Sequence, residues 1–317
     1  MKIIESLNMP KTYNTYIGSA YSILKNANLF EDEYYVFSGM TGMAFHFIMR
    51  ENMCASAVTV YDWDEEHFLM FDKIGIFSES LFVYKRNGMN TFKKAQEEAL
   101  KKIKESINKG LGVVTWAPTS ILEFGIIKGY DDTDKVYFVS SVEEFDPDPL
   151  LYENLGLSEV PYLYIRTFKD NVKVNKEKIF RDSLQYGIYQ WNKNFHVSQY
   201  FSSGKKAYDI AINSIEKNNI EPFGFSYCIY VYNESKEHIY KYLEYVKENS
   251  KYLKGLKISI NNYKIISENF KKMTNLVPFG IKEKSEIKDI QAIKNLFEEN
   301  KKLETEAMEE IEKIIKL

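Results

Sequence analysis

The stretch EFGIIKGYDDTDKVYFVSS, residues 123 to 141, carries the strongest fold signal in the chain. Two apolar runs have the alternation of β-strands. Asp131 and Asp132 lie between them and have side chains that accept backbone N–H bonds in tight turns. The stretch therefore predicts a β-hairpin. Glu123 is its unusual residue, because it places a carboxylate directly before the first apolar run.

Further strands and helices are predicted around this hairpin. The strand-like segments are LGVVTWAP, PYLYIRTF (161–168), SAVTVYD and SLFVYKR. Helical periodicity covers residues 15–26, the segment DWDEEHFLMFDKIG and residues 91–109. The last of these has one apolar stripe, formed by Phe92, Ala95, Ala99, Ile103 and Ile107.

After about residue 175 the pattern becomes helical, and no further strand alternation is found. The helical segments are KEKIFRDSLQYGIYQWNK, GKKAYDIAINSIEK, SKEHIYKYLEYVKENSKYL and IKDIQAIKNLFEENKKLETEAMEEIEKIIKL. This order predicts the α+β class, with a mixed domain over residues 1–170 and a helical domain over residues 171–317.

Composition limits the function classes. Hydrophobic residues make up 44% of the chain and charged residues 27%, with a net charge of −3. Such a chain forms a core and has no basic field for nucleic acid. It has no apolar run of about 18 residues and no apolar signal region at its beginning. Its two cysteines lack CxxC spacing. We expect a cytoplasmic, reduced protein without a nucleic-acid or membrane partner.

The four histidines show neither HxxxH nor HExxH spacing, so no metal or cofactor is expected.

Four motifs carry a resemblance to a known family: TYIGSAYSILKNANL, SGMTGMAFHF, CASAVTVYDW and EFGIIKGYDDTDKVYFV. They resemble the butirosin-biosynthesis protein H N-terminal family, a papain-like group related to bacteriocin-processing cysteine peptidases. SGKKAYDIAI and LETEAMEEIEKII are similar to that family's C-terminal region. The resemblance implies a papain-like fold for the first domain and a role in an aminoglycoside or peptide-antibiotic pathway. The implied activity is acyl transfer from a carrier-protein thioester to an amine, or amide hydrolysis.

The order of the elements also fits a papain-like fold, in which a cysteine begins the first helix and a histidine stands on a strand. Here Asn14 or Thr15 takes the cysteine's place, and Glu123 takes the histidine's place. A threonine hydroxyl is a poor nucleophile without a base, and a glutamate does not stabilise a thiolate. Two hypotheses stay open: an enzyme with a nonstandard site, and a catalytically inactive relative that binds the same class of ligand.

The candidate catalytic residues each have an ordinary alternative. Glu123 is a general base or ligand-binding carboxylate, or a strand-entry residue facing water. Thr15 is a candidate nucleophile, and Asn14 and Thr15 cap the helix, bind a ligand, or do both. Cys54 is a displaced nucleophile with His46 as its base, or a small buried hydrophobe.

The candidate binding residues are similarly open. Gly39 and Gly42 bring backbone amides to a ligand carbonyl, or pack a tight turn. Asp131 and Asp132 orient a ligand, or serve the hairpin turn. An acidic cleft of these carboxylates with Glu123 suits a cation, so the expected partners are a small-molecule amine, a peptide or an acyl-carrier-protein arm. Apolar stripes in the helical domain also suit a homodimer face; they are Tyr240, Leu243 and Val246, and Ile311, Ile314 and Ile315.

Overall fold

The computed structural model describes residues 1–144, 146–193 and 200–316. His196 lies outside these described residues. The helices are α1 Thr15–Asn26, α2 Tyr34–Thr41, α3 Glu65–Lys73, α4 Phe92–Asn108, α5 Lys176–Asn192, α6 Lys205–Glu216, α7 Pro222–Asn249, α8 Lys257–Leu276 and α9 Ile290–Ile315. Short 3₁₀ segments occur at Met43–Phe45, Ala55–Thr59, Tyr152–Asn154 and Lys284–Glu286.

The strands are β1 Lys2–Ile3, β2 Ile48–Arg50, β3 Ile76–Tyr84, β4 Val113–Trp116, β5 Phe124–Asp131, β6 Val136–Ser140, β7 Leu150–Leu151, β8 Tyr162–Asn171 and β9 Phe201–Ser203. The chain is thus mixed α+β, as its sequence predicts. It divides into two compact units, which are described separately: Met1–Tyr34 with His67–Lys173, and Tyr35–Glu66 with Val174–Leu317.

The first unit, here the sheet unit, has an antiparallel seven-stranded sheet. The strand order is β3-β8-β4-β5-β6-β7, and β1 pairs with β5. The predicted hairpin is confirmed as β5 and β6, with Asp131 opposite Val136. The predicted apolar stripe of α4 is also confirmed, since Ala99, Ile103 and Ile107 are fully buried against the sheet.

The other face of this sheet packs against α1 and α3. The ring of Tyr16 on α1 lies 4.9 Å from the ring of Phe124 on β5. The ring of Phe71 on α3 lies 5.0 Å from that of Phe168 on β8. Aromatic rings at these separations add edge-to-face attraction to the burial of their apolar area. Helix α1 is therefore fixed with its first residue beside the start of β5.

The second unit, here the helical unit, combines α5 to α9 with residues 35–66. Strand β2 from that segment pairs with β9, with Ile48 opposite Ser203. The buried ring of Phe47 lies 4.5 Å from the ring of Tyr208 and 4.8 Å from that of Tyr232. Residues 35–66 thus supply part of this unit's core. The predicted domain boundary, between residues 170 and 171, lies close to Val174, where the helical unit resumes. A single boundary at that point does not assign residues 35–66 to the helical unit.

Two secondary-structure predictions are wrong. SAVTVYD does not form a strand, because residues 55–59 turn as a 3₁₀ segment and bury Ala57. The prediction of no strand after residue 175 misses β9, whose three residues are too short for an alternating pattern and pair with a distant segment.

Three of the six side chains in the proposed dimer-face stripes are internal. Leu243, Val246 and Ile311 are fully buried within the helical unit itself. The homodimer therefore stays a prediction, and these three buried side chains do not form its interface. In the part of the chain that the structure describes, no helix is both long and apolar enough to cross a bilayer.

Candidate functional site

Thr15 is the first residue of α1, and the loop before it is held in place. Asn14 occupies the N-cap position, but its side chain makes no capping bond. The backbone N–H of Asn14 donates to Thr12 Oγ1 at 3.0 Å, and Thr12 Oγ1 also bonds the hydroxyl of Tyr34 at 2.9 Å. A Cβ at Gly18 would lie 2.5 Å from Thr12 Cγ2, so a glycine permits the loop to approach the helix. These contacts fix the start of α1.

Thr15 and Glu123 are brought together by the fold. The hydroxyl of Thr15 donates to Glu123 Oε2 at 2.6 Å and accepts from the backbone N–H of Phe124 at 3.2 Å. Thr15 is 5% exposed, and Glu123 is half-buried. Both the proton and a lone pair of the hydroxyl are therefore engaged at the start of β5. A hydrogen bond to a carboxylate is stronger than one between neutral groups.

The connection between β4 and β5 positions Glu123 through a strained residue. Ala117 has a φ of 44°, in the left-handed region that costs non-glycine residues energy. Its backbone N–H donates to the carbonyl of Glu123 at 2.8 Å. A Cβ at Gly125 would lie 2.6 Å from Pro118 Cγ and 2.7 Å from the carbonyl of Ser140, so a glycine is required there.

A buried polar chain lies behind α1 in the sheet unit. His67 stacks on Tyr16 with 3.3 Å between ring centroids, and its Nδ1 bonds the hydroxyl of Tyr164 at 2.7 Å. Arg166 donates to the same hydroxyl at 2.9 Å and to Ser78 Oγ at 2.9 Å. None of these residues was predicted from the sequence. The signal was the arginine inside the apolar run PYLYIRTF, since a buried arginine needs polar partners.

Asp131 and Asp132 lie at the far end of β5 from Glu123. Strand β5 has eight residues, at roughly 3.3 Å each, so its two ends lie more than about 20 Å apart. Asp131 accepts from the backbone N–H of Thr133 at 2.7 Å, and this bond holds the pKa of Asp131 below its usual value. Asp132 pairs with Lys104 at 2.5 Å, which lowers the pKa of Asp132. The structure does not bring these carboxylates together with Glu123.

Gly39 and Gly42 belong to the helical unit and pack against aromatic rings. A Cβ at Gly39 would overlap the ring of Tyr242, and one at Gly42 would lie 2.5 Å from Tyr186 Cδ1. Gly42 also has a φ of 85°, which favours glycine. Each glycine therefore has a packing role, whatever its amide contacts.

Cys54 and His46 also belong to the helical unit. Cys54 is half-buried, and Ser56 Oγ donates to its sulfur at 3.4 Å. His46 Nε2 bonds the hydroxyl of Tyr186 at 2.6 Å. The same hydroxyl donates to the carboxylate of Glu66, and Gln190 Nε2 donates to it at 2.6 Å. Burial first, and then the Glu66 charge, raise the pKa of Tyr186 and keep it protonated.

No protein-family model matches the chain, and no curated protein matches its sequence. Within the described residues, no group of three or more histidine, cysteine or acidic side chains is arranged to hold a metal ion. The chemistry that the geometry offers in the sheet unit is that of one hydroxyl and one carboxylate at a helix start. A carboxylate there accepts hydrogen bonds and attracts cations.

Proposed function

We propose that the protein is a papain-like relative of the butirosin-biosynthesis protein H N-terminal family that binds a ligand without forming a covalent intermediate. The observation that carries this proposal is the 2.6 Å hydrogen bond between Thr15 and Glu123. It joins the first residue of a helix to the head of a strand, which is the relation of cysteine and histidine in papain-like enzymes. The pathway is that of an aminoglycoside or peptide antibiotic, in the cytoplasm.

Loss of covalent chemistry follows from the groups present. A threonine hydroxyl holds its proton far more tightly than a thiol, and an ionised glutamate is too weak a base to remove it at neutral pH. The Thr15 hydroxyl also has little contact with solvent and already bonds Glu123 and the Phe124 amide. His67, the histidine of the sheet unit, is stacked on Tyr16 and bonded to Tyr164.

The ligand's chemistry follows from the half-buried carboxylate. Glu123 accepts a hydrogen bond from Thr15 through Oε2, and an ionised carboxylate acts only as an acceptor. A protonated amine is the group that complements it in both charge and hydrogen bonding. The proposed ligand is therefore a small-molecule amine, a peptide or an acyl-carrier-protein arm that presents such a group.

Restoring the missing pair tests the papain-like relation directly. In a background of Cys54→Ser and Cys228→Ser, we expect Thr15→Cys with Glu123→His to react with iodoacetamide at pH 6 about ten-fold faster than Thr15→Cys alone. The reason is that an imidazolium stabilises a thiolate, whereas Glu123 destabilises it. The rate is measured by intact mass over time.

The matched control is Thr91→Cys, which places a thiol at the N-cap of α4 without a strand-head partner. Glu123→His should leave the alkylation rate of that thiol unchanged. Equal rates for Thr15→Cys with and without Glu123→His would contradict the papain-like relation of the two positions.

A second candidate function is acyl transfer or amide hydrolysis with Thr15 as nucleophile and Glu123 as base. The direction of the hydrogen bond favours it, because the hydroxyl donates to the carboxylate. Incubation with a thioester donor separates the two functions. Noncovalent binding leaves the mass of the protein unchanged. An adduct lost in Thr15→Val establishes the threonine enzyme, and one lost in Cys54→Ala establishes the cysteine instead.

A further inference from the structure

The two cysteines of the chain meet in the helical unit although 174 residues separate them. The thiol of Cys228 on α7 donates to the carbonyl oxygen of Cys54 at 3.8 Å. Both cysteines are free thiols. In Cys54, the carbonyl oxygen and the sulfur are joined through the same Cα, so rotation about its Cα–Cβ bond moves the sulfur while the backbone stays in place.

Close backbone packing brings the two together. The backbone N–H of Glu221 donates to the carbonyl of Asn52 at 2.8 Å just before α7 begins. Gly224 follows in the first turn, and a Cβ there would lie 2.5 Å from the carbonyl oxygen of Met53. A larger residue would hold α7 away from this segment. Cys228 comes four residues after Gly224, on the same face of the helix, and so faces Cys54.

The two sulfurs differ in accessibility. Cys54 is half-buried, and Ser56 Oγ donates to its sulfur at 3.4 Å. Cys228 is fully buried, and burial raises the pKa of its thiol. An oxidant in solution therefore reaches Cys54 first, and the thiol of Cys228 lies against the backbone of the same residue.

We propose that Cys54 and Cys228 are a covalent modification site at which a hydroperoxide forms a reversible disulfide. The thiolate of Cys54 attacks one oxygen of hydrogen peroxide, the O–O bond breaks, and the hydroxide released takes up a proton as water. Cys54 is then a sulfenic acid. The sulfur of Cys228 attacks the sulfur of Cys54, the S–O bond breaks, and a second water leaves with the proton of Cys228. The two thiols lose two electrons, and the peroxide gains them.

The disulfide would tie residues 52–55 covalently to α7. A small thiol reverses it by attack on one sulfur, through a mixed disulfide. Because a crosslink between distant residues restricts the unfolded chain, the oxidised helical unit should melt at a higher temperature than the reduced one.

Thiol counting on the full chain tests the site. Reduced protein should take up two maleimides after denaturation. After hydrogen peroxide treatment it should take up none, and its two cysteine peptides should be joined with a loss of about 2 Da, the two hydrogen atoms of the thiols. Dithiothreitol should restore both maleimides. Peptide mapping separates this change from methionine oxidation, because it is read on the linked peptide.

Single variants supply the controls. Cys228→Ser should accumulate a sulfenic acid at position 54 that dimedone captures, whereas Cys54→Ser should leave Cys228 largely unreacted at the same peroxide concentration. Two alkylatable thiols in treated wild type, a disulfide formed between two chains, or dimedone capture at Cys228 would each overturn the proposal.

Discussion

The role of Glu123 decides whether the start of β5 is a binding surface or only the end of a strand. Its side chain already holds the hydroxyl of Thr15, so its removal affects the protein in two ways that are measured separately. The neutral amide of Glu123→Gln still accepts a hydrogen bond, and the local fold should lose about 1 kcal/mol or less. A bound ammonium group loses its charge partner, which should cost about 1.5–3 kcal/mol of binding.

Thermal shift with amines, aminoglycosides and short peptides measures both effects. We expect ligands that raise the Tm of wild type to raise that of Glu123→Gln clearly less. Asp131→Asn is the matched control, because Asp131 is a carboxylate at the other end of the same strand. A ligand that stabilises Glu123→Gln and wild type equally would place the binding surface away from Glu123.

The sequence predicts a candidate site residue only where its neighbours in the chain form a recognisable helix or strand pattern. Thr15 is predictable because helical periodicity begins there, and Glu123 because an apolar strand begins after it. Gly39 and Gly42 are visible in the sequence as a glycine pair, but the local pattern does not decide between packing and ligand contact. Each packs against a ring on a distant helix, Tyr242 or Tyr186, and such a contact has no trace in the neighbouring sequence. The same limit applies to Ala117, whose positive φ is set by the β4–β5 connection.

At the scale of elements, helices α6 to α9 meet at a buried ion pair. Lys236 on α7 donates to both oxygens of Glu304 on α9, at 2.7 and 2.8 Å, and neither side chain has more than 3% of its surface exposed. Tyr208 on α6 and Tyr263 on α8 also donate to this carboxylate, at 2.5 and 2.9 Å. Burial lowers the pKa of Lys236, and the Glu304 carboxylate opposes that shift. One carboxylate therefore links four helices.

Breaking this pair from one side should be costly. Lys236→Met leaves a buried carboxylate without its cation, and we expect the free energy of unfolding to fall by about 3–5 kcal/mol. Adding Glu304→Gln removes the uncompensated charge and should recover part of that loss. Guanidinium unfolding followed by circular dichroism gives both values.

The control is Lys241→Met on the same helix α7. Lys241 pairs with Glu237 at 2.6 Å, but both side chains are nearly half exposed. Its loss should change stability by less than about 0.5 kcal/mol. If Lys236→Met were as mild as Lys241→Met, or if Glu304→Gln destabilised it further, the buried pair would not organise the four helices.

Elements with strong local patterns were predicted well, and the others were not. The α4 stripe and the β5–β6 hairpin follow from periodicity and turn residues alone. SAVTVYD contains β-branched residues that favour a strand, yet this segment folds as a 3₁₀ turn. The helical segment SKEHIYKYLEYVKENSKYL covers only the later part of α7, because the preceding run FGFSYCIYVY is apolar on all sides and lacks an amphipathic stripe.

At the scale of the whole molecule, the helical unit is built from two separated segments. Residues 35–66 supply Phe47, Ile48, Met49 and Met53 to its core, each at most 1% exposed. A fragment of residues 174–317 lacks these side chains. We therefore expect it to keep helical circular dichroism but to unfold without a cooperative transition, because a core with so large a cavity is not uniquely packed.

The matched control is a chain in which a flexible glycine-serine linker joins residues 35–66 to residue 174. It should recover a cooperative thermal transition and the near-ultraviolet circular dichroism signal of packed aromatic side chains. Cooperative melting of the fragment 174–317 by itself would show that residues 35–66 are dispensable to the helical unit.

The split of the helical unit has a consequence for synthesis. The ribosome releases residues 35–66 long before any of α5 to α9 exists, while the sheet unit is complete once residue 173 has emerged. Phe45, Phe47 and Met49, which are buried in the finished helical unit, are exposed to water until α5 to α9 have emerged. Exposed apolar segments of nascent chains aggregate or bind chaperones. The speed of translation through the last part of the message therefore sets how long this segment stays unprotected.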